Sequence, residues 1–199
     1  TVNERTIPAM FACQDKAHEC EVPIVLDPVG AGASALRTKT ALDIAKNHVT
    51  CIRANVSEIK ALDGAASDTR GVDASLDDFV SKSNLNEMIS FAKNVSQKFN
   101  CVVAMTGEID IVTFGEKVAT IYNGSSMQGK ITGAGCMLSS LVASGLKKNE
   151  DPFEPTVTAV CAMGVAGERA EQKMKKLNAG NSSFSNFMID ELFLMNQEI

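Results

Sequence analysis

Short apolar runs alternate with longer amphipathic stretches along most of the chain. The runs at 22–26, 49–53 and 101–105 have the length and residue types of buried strands. The stretches between them repeat apolar residues at helical spacing. Helices are predicted over 7–20, 40–47, 55–62 (capped by Asn55), 85–99 and 152–176 (as one or two helices). A last helix is predicted to run to Phe193, capped by Ser182 or Ser183, and another to begin at Gly135. Strands that alternate with helices in this way are typical of a parallel sheet covered by helices.

Two runs near the middle of the chain break this rhythm. Residues 109–114 and 117–122 flank Gly115-Glu116, a pair that favours a tight turn. They predict an antiparallel hairpin at the edge of the sheet. Residues 64–83 are polar, and they are predicted to form a loop with at most a brief helix after Ser75.

The composition is that of a chain that can bury a sizeable core. With 199 residues, of which 45% are hydrophobic, a single domain over residues 1–199 is expected. A net charge of −5 and a sequence pI of about 5.1 argue against nucleic acid as a partner. No apolar run reaches the roughly 20 residues that span a bilayer, and the first residues lack a signal-peptide pattern. We therefore expect no membrane partner and a cytoplasmic location.

The segment Thr132-Gly133-Ala134-Gly135-Cys136 stands directly before an apolar helical run. The first N–H groups of a helix lack partners within it and carry the positive end of its dipole. Gly133, Ala134 and Gly135 are therefore predicted to form an anion hole for a phosphate. Cys136 is the catalytic candidate, because a thiol at a helix N-terminus ionises more readily. The simpler interpretation is a tight turn, with Cys136 as a small core residue.

Polar residues follow three of the predicted strands, whose carboxyl ends meet at one edge of a parallel sheet. Asp27 and Glu58 are candidate ligands for Mg²⁺, which prefers oxygen atoms. Arg53, between strand and loop, and Thr106, before Gly107, are candidates for phosphate contacts. Simpler interpretations exist for each. Asp27 suits a turn and Glu58 complements a helix dipole, whereas Arg53 suits a surface ion pair and Thr106 caps a turn.

Together, the segments around Asp27, Arg53, Thr106 and Gly133 resemble hydroxyethylthiazole kinase, a thiamine-salvage family of ribokinase-like architecture. The resemblance runs from Asn3 to about Phe187. It implies a three-layer α/β/α sandwich with a mostly parallel central sheet and an antiparallel edge hairpin. It also implies phosphorylation of 4-methyl-5-(2-hydroxyethyl)thiazole with ATP and Mg²⁺.

The resemblance assigns roles to individual residues. Arg53 and Thr106 correspond to ATP-contacting positions, and Gly133 to a position close to the substrate hydroxyl. Cys136 is typical of this family, because the wider ribokinase superfamily has aspartate there. The chain departs from the family at Ala54, where glycine is common.

The resemblance has two further implications, for assembly and for the extent of the domain. Family members form homotrimers with each active site between neighbouring subunits. Their domain begins with an additional segment, which carries the first strands and part of the thiazole pocket. Because Thr1 corresponds to a position inside the family domain, the chain is expected to lack this segment, and an open sheet edge is expected without it.

Two other functions use the same glycine turn and carboxylates. One is a different small-alcohol kinase, such as a hydroxymethylpyrimidine kinase, which aspartate at position 136 would have favoured. The other is an ATP-dependent dehydratase or a nucleotide-binding module without turnover. Only a kinase consumes ATP in proportion to a phosphorylated alcohol.

Overall fold

The computed structural model describes residues 2–66 and 80–195. Within these ranges the chain forms seven α-helices, five strands and a short 3-10 helix at Ser126–Lys130. The helices are α1 (Thr6–Glu19), α2 (Ala35–Lys46), α3 (Val56–Ala66), α4 (Leu85–Phe99), α5 (Ala134–Gly145), α6 (Phe153–Lys176) and α7 (Asn181–Met195). The strands are β1 (Val25–Leu26), β2 (Cys51–Asn55), β3 (Val102–Thr106), β4 (Asp110–Phe114) and β5 (Lys117–Ile121).

The five strands form one sheet in the order β1-β2-β3-β4-β5. β1, β2 and β3 are parallel, with Asn55 opposite Thr106. β4 is antiparallel to β3 and forms a hairpin with β5, which confirms the predicted edge hairpin. Ala54 lies opposite Met105 in this regular ladder, without a positive φ, so alanine is accommodated where the family commonly has glycine.

Helices cover both faces of the sheet, and the side chains of the strands alternate between two cores. Ile52 and Val103 pack with α2, α3 and α4 on what we call the α3 face. Cys51 and Val102 pack with α5, α6 and α7 on the α5 face. Successive residues of a strand point to opposite sides, so each strand contributes to both cores. This arrangement confirms the predicted three-layer α/β/α sandwich.

Some predicted boundaries differ from the structure. β1 begins at Val25 rather than at residue 22, because the Val22 N–H donates to Ala17 O and closes the end of α1. α2 begins five residues earlier than predicted, and 152–176 is a single helix. α7 begins at Asn181, so the cap predicted at Ser182 or Ser183 is wrong. Residues 64–66 continue α3, whereas the brief helix predicted after Ser75 lies outside the described residues.

In the two described ranges, the helices are all too short or too polar to cross a membrane.

Candidate active site

Three predicted site residues meet at the carboxyl ends of the parallel strands. Arg53 lies two positions after Cys51 in β2, and Thr106 lies four positions after Val102 in β3. Because side chains alternate along a strand, both point toward the α5 face. Asp27 follows β1 directly and is bonded to Arg53. The strand order therefore brings together side chains that are far apart in sequence.

Arg53 joins the ends of β1 and β3. Its Nη1 donates to both carboxylate oxygens of Asp27 at 3.4 Å, and its Nη2 donates to Thr106 Oγ1 at 3.2 Å. The side chains of Arg53 and Asp27 are only 12% and 16% exposed. Arg53 is the third residue of β2, so its predicted place between strand and loop is wrong. The alternative interpretation of Arg53 as part of a surface ion pair is also wrong, because the pair is largely buried. Partial burial strengthens such charge-assisted bonds.

Two glycines shape the start of α5 for different reasons. Gly133 has a φ of +95°, which other residues rarely adopt, although a Cβ there would meet no atom within 4 Å. Gly135 lies within the helix, and a Cβ there would lie 2.7 Å from Arg53 Nη1. The first N–H group of α5 that donates a hydrogen bond within the helix is that of Met137, to Gly133 O at 2.9 Å. The N–H groups of 134–136 therefore point out of the helix end, beside Arg53.

Cys136 and Ser139 lie on the first two turns of α5. Cys136 is exposed, so its interpretation as a small core residue is wrong. The Ser139 hydroxyl donates to Asp27 Oδ2 at 2.7 Å. Ser139 was not selected from the sequence. Its spacing of four residues from Gly135 places both on one helical face, but nothing local indicates what that face contacts.

Glu58 approaches the same strand ends from the α3 face. Its Oε2 accepts a hydrogen bond from the Asn55 N–H at 3.1 Å, while Asn55 Oδ1 accepts one from the Glu58 N–H at 2.8 Å. This reciprocal cap confirms that Asn55 caps α3. Glu58 Oε1 accepts from the Gly30 N–H at 3.0 Å, in the loop that follows Asp27. Glu58 therefore ties that loop to the start of α3.

Asp110, the first residue of β4, is a second polar residue that was not selected from the sequence. Its Oδ1 accepts a hydrogen bond from the Gly107 N–H at 2.9 Å. Burial raises the pKa of Asp110 to about 6, although this bond and the charge of Arg53 both lower it. Shifted carboxyl pKa values are common at functional sites, and burial alone also produces them. In the sequence, Asp110 could have been found as the polar residue that closes the segment from Met105 to Asp110, at the end of β3.

The carboxylate oxygens of Asp27 and Glu58 are of the ligand type that Mg²⁺ prefers. Residues 2–66 and 80–195 contain no group of three or more His, Cys, Asp or Glu side chains that could hold a metal ion. Mg²⁺ is usually bound by one or two carboxylates together with water and substrate phosphates. Each Glu58 oxygen accepts one backbone hydrogen bond and retains a second lone pair for a ligand.

A groove of about 920 Å³ lies along β1, between α1 and α2. Its walls are mainly apolar and include Met10, Ile24 and Ala41. Asp27 and Cys136 also line it, so the groove reaches the candidate site. An apolar cleft with a few polar groups is the usual form of a small-molecule site.

Comparison with known proteins agrees with this geometry. The model of the hydroxyethylthiazole kinase family matches residues 1–198. A hydroxyethylthiazole kinase from Clostridium acetobutylicum is 45% identical over 195 residues, which are 97% of this chain and 71% of that protein. The solved structure of the Pyrococcus horikoshii OT3 protein of the same name has a TM-score of 0.83 and 30% identity, over 97% of this chain and 68% of that one.

Similarity at lower identity concerns the fold alone. A Bacillus subtilis pyridoxal kinase, solved as an ADP complex, has a TM-score of 0.56 and 19% identity, over 80% of this chain and 59% of that one. The pyridoxal kinase and a ribokinase-like superfamily protein from Enterococcus faecalis, with a TM-score of 0.53, share the fold of this chain. With a family model that matches nearly its whole length and a relative that is 45% identical, the chain belongs to the hydroxyethylthiazole kinase family.

Proposed function

We propose that this protein transfers the γ-phosphate of ATP to the hydroxyl of 4-methyl-5-(2-hydroxyethyl)thiazole, forming the monophosphate in thiamine salvage. The observation that carries the proposal is the start of α5. There, N–H groups without a partner in the helix lie beside the Arg53 guanidinium, and Cys136 is exposed in the same turn, within a member of this family. Phosphoryl transfer requires positioning and charge neutralisation more than covalent chemistry, and these groups supply both.

On the nucleotide side, Arg53 and Thr106 are the proposed ATP contacts. Their mutual hydrogen bond holds the guanidinium and the hydroxyl at adjacent strand ends. The N–H groups of Gly133, Ala134 and Gly135 are the proposed anion hole for the transferring phosphoryl group. Such preorganised donors stabilise developing charge without having to reorient during the reaction.

Asp27 and Glu58 are the proposed ligands of Mg²⁺, directly or through water. When bound, the ion neutralises phosphate charge and helps to align the nucleotide. Glu58 also accepts a hydrogen bond from the Gly30 N–H, in the loop after Asp27. This bond fixes the loop, and with it Asp27, relative to Glu58. Two like charges at the same end of one sheet repel each other, and a divalent cation relieves that repulsion.

On the acceptor side, Cys136 is the proposed residue that accepts or orients the proton of the substrate hydroxyl. Gly133 is the proposed contact close to that hydroxyl. The loose transition state of phosphoryl transfer lets the proton leave late, so positioning contributes more than proton abstraction. Loss of the thiol is therefore expected to slow the reaction without abolishing it.

We also propose that the chain acts as a single ribokinase-like domain, within a homotrimer that shares its active sites between subunits. The two cores on opposite faces of one sheet support the single domain. All six cysteines are free, as suits the reducing cytoplasm in which we place the enzyme. Sedimentation of an active monomer at working concentration would contradict the shared sites.

The direct test is incubation with ATP, Mg²⁺ and the hydroxyethylthiazole, followed by mass spectrometry of the products. The expected result is thiazole monophosphate in a one-to-one ratio with ADP. Hydroxymethylpyrimidine serves as the competing alcohol. Turnover of the pyrimidine without the thiazole would refute the proposed substrate, and ATP hydrolysis without a phosphorylated alcohol would refute a kinase.

A further inference from the structure

A short hydrogen bond connects α5 to the end of β1. The Ser139 hydroxyl donates to Asp27 Oδ2 at 2.7 Å, across 112 positions of sequence. Arg53 also contacts Asp27, but its bonds to both carboxylate oxygens are long, at 3.4 Å. The serine therefore makes the tighter of the two contacts with Asp27. An O–H···O⁻ bond of this length belongs to the strong, charge-assisted class.

The contact is part of how α5 docks against the strand ends. Gly135 lies against the Arg53 guanidinium, and Ser139 follows it by four residues, on the same face of the helix. One helical face therefore meets both members of the Arg53–Asp27 ion pair. Because α5 also carries the glycine turn and Cys136, this contact sets the position of Asp27 relative to both.

Ser139 differs in this respect from the next serine of the same helix. Ser140 is exposed, and its hydroxyl donates to the Cys136 carbonyl of its own helix at 2.9 Å. Ser139 has a similar option in the Gly135 carbonyl, but at a longer 3.2 Å. A hydroxyl has one proton to donate, and the shorter, charged acceptor Asp27 takes it.

We propose that Ser139 is a positioning residue for the metal site: it holds Asp27 Oδ2 so that the carboxylate presents the lone pair that remains on Oδ1 to the cation. This inference rests on the proposed role of Asp27 toward Mg²⁺. Ser139 acts through Asp27 and touches neither substrate nor nucleotide. Its loss is expected to weaken metal binding more than it lowers the maximal rate.

The experiment compares Ser139→Ala, Ser139→Thr and Ser140→Ala with the wild-type full chain. Mn²⁺ binding is followed by electron paramagnetic resonance with a non-hydrolysable ATP analogue held at saturation. In parallel, the rate of thiazole phosphorylation is measured against free Mg²⁺. Thermal unfolding midpoints establish that each variant is folded.

For Ser139→Ala, we expect both half-saturating metal concentrations to rise about tenfold, the effect of losing one hydrogen bond to a charged group. Its kcat at saturating Mg²⁺ and its KM for the thiazole should stay within about threefold of wild type. Ser139→Thr retains the hydroxyl, and Ser140→Ala loses only a bond within the helix. Both are expected to stay within about twofold of wild type.

A folded Ser139→Ala variant with wild-type Mn²⁺ affinity would overturn the proposal. An equal loss in Ser140→Ala would also overturn it, because the effect would then belong to the helix in general. If the wild type phosphorylates another alcohol while Ser139→Ala still weakens Mn²⁺ binding tenfold, the proposed substrate fails and the role of Ser139 stands. The two proposals can therefore fail separately.

Discussion

The two faces of the sheet organise the strand ends in different ways. On the α5 face, side chains bond to side chains: Arg53 joins Asp27 to Thr106, and Ser139 bonds to Asp27. On the α3 face, the Glu58 carboxylate accepts hydrogen bonds from two backbone N–H groups, those of Gly30 and Asn55. Two carboxylates at the same end of one sheet are thus held by different kinds of partner.

The two kinds of partner give the two carboxylates different structural roles. A carboxylate paired with a largely buried guanidinium cannot lose its charge without leaving the partner charge uncompensated. A carboxylate that accepts backbone hydrogen bonds shapes a loop and a helix start, whatever else it binds. We therefore expect loss of the Asp27 charge on the α5 face to lower both activity and stability, because Arg53 is left uncompensated. Substitution of Glu58 on the α3 face should act on stability through the loop and the helix start, in addition to any effect on metal binding.

Asp27→Asn should have the largest effect. It removes a proposed Mg²⁺ ligand and the charge opposite Arg53, so we expect kcat to fall about 100-fold or more, with a raised requirement for Mg²⁺ and little change in thiazole binding. Steady-state kinetics over a range of Mg²⁺ concentrations measures this. Asp43→Asn, at an ion pair with Lys39 on α2, is the matched control. Normal turnover of Asp27→Asn at low Mg²⁺ would contradict the assignment.

Cys136 should show an intermediate effect. Cys136→Ser and Cys136→Ala are expected to lower kcat by roughly 10-fold to 100-fold, with nearly unchanged ATP binding. Cys136→Asp places a carboxylate where related kinases have one, so its kcat should equal or exceed that of the wild type. Cys20→Ala is the control, because Cys20 is exposed and lies outside the lining of the groove. An inactive Asp variant beside a fully active Ala variant would remove Cys136 from the mechanism.

Glu58→Gln tests the opposite face. A glutamine amide has one oxygen acceptor, so either the Gly30 or the Asn55 N–H loses its partner. We expect the free energy of unfolding to fall by about 2 kcal/mol. Urea denaturation measures this, with Glu154→Gln in the first turn of α6 as the control. An unfolding free energy equal to that of the wild type would show that the backbone bonds of Glu58 do not hold the loop.

Asp110 should show the smallest effect, and only as a dependence on pH. Its pKa rises from an ordinary value near 3.8 to about 6 on folding, mainly through burial. The folded state then holds the proton more tightly, so the associated stability is complete below about pH 4 and is lost as pH rises through 6. The difference in the free energy of unfolding between Asp110→Asn and wild type should therefore move by about 1 kcal/mol in favour of the variant from pH 4 to pH 7. This figure allows for solvent screening.

Urea denaturation at the two pH values measures the Asp110 effect. The exposed Asp190→Asn is the control. A constant difference between Asp110→Asn and wild type across this range would show that Asp110 does not titrate there.

Much of the fold was predictable because it depends on local spacing. The helix Leu85–Phe99 was predicted at its observed bounds from a strong apolar stripe, and the β4–β5 hairpin from two runs around Gly115. β1 was predicted three residues too long, because the hydrogen bond that assigns Val22 to the end of α1 is not visible in an apolar run.

The candidate site divides in the same way. The amino-acid sequence by itself determined the glycine turn, the cap at Asn55 and the polar residues at the strand ends, because these depend on neighbours within a few positions. Only the tertiary structure decided that Gly135 lies against the Arg53 guanidinium and that Ser139 bonds to Asp27. Those contacts depend on strand order and on where α5 docks, and spacing along one helix carries no information about what its face will meet.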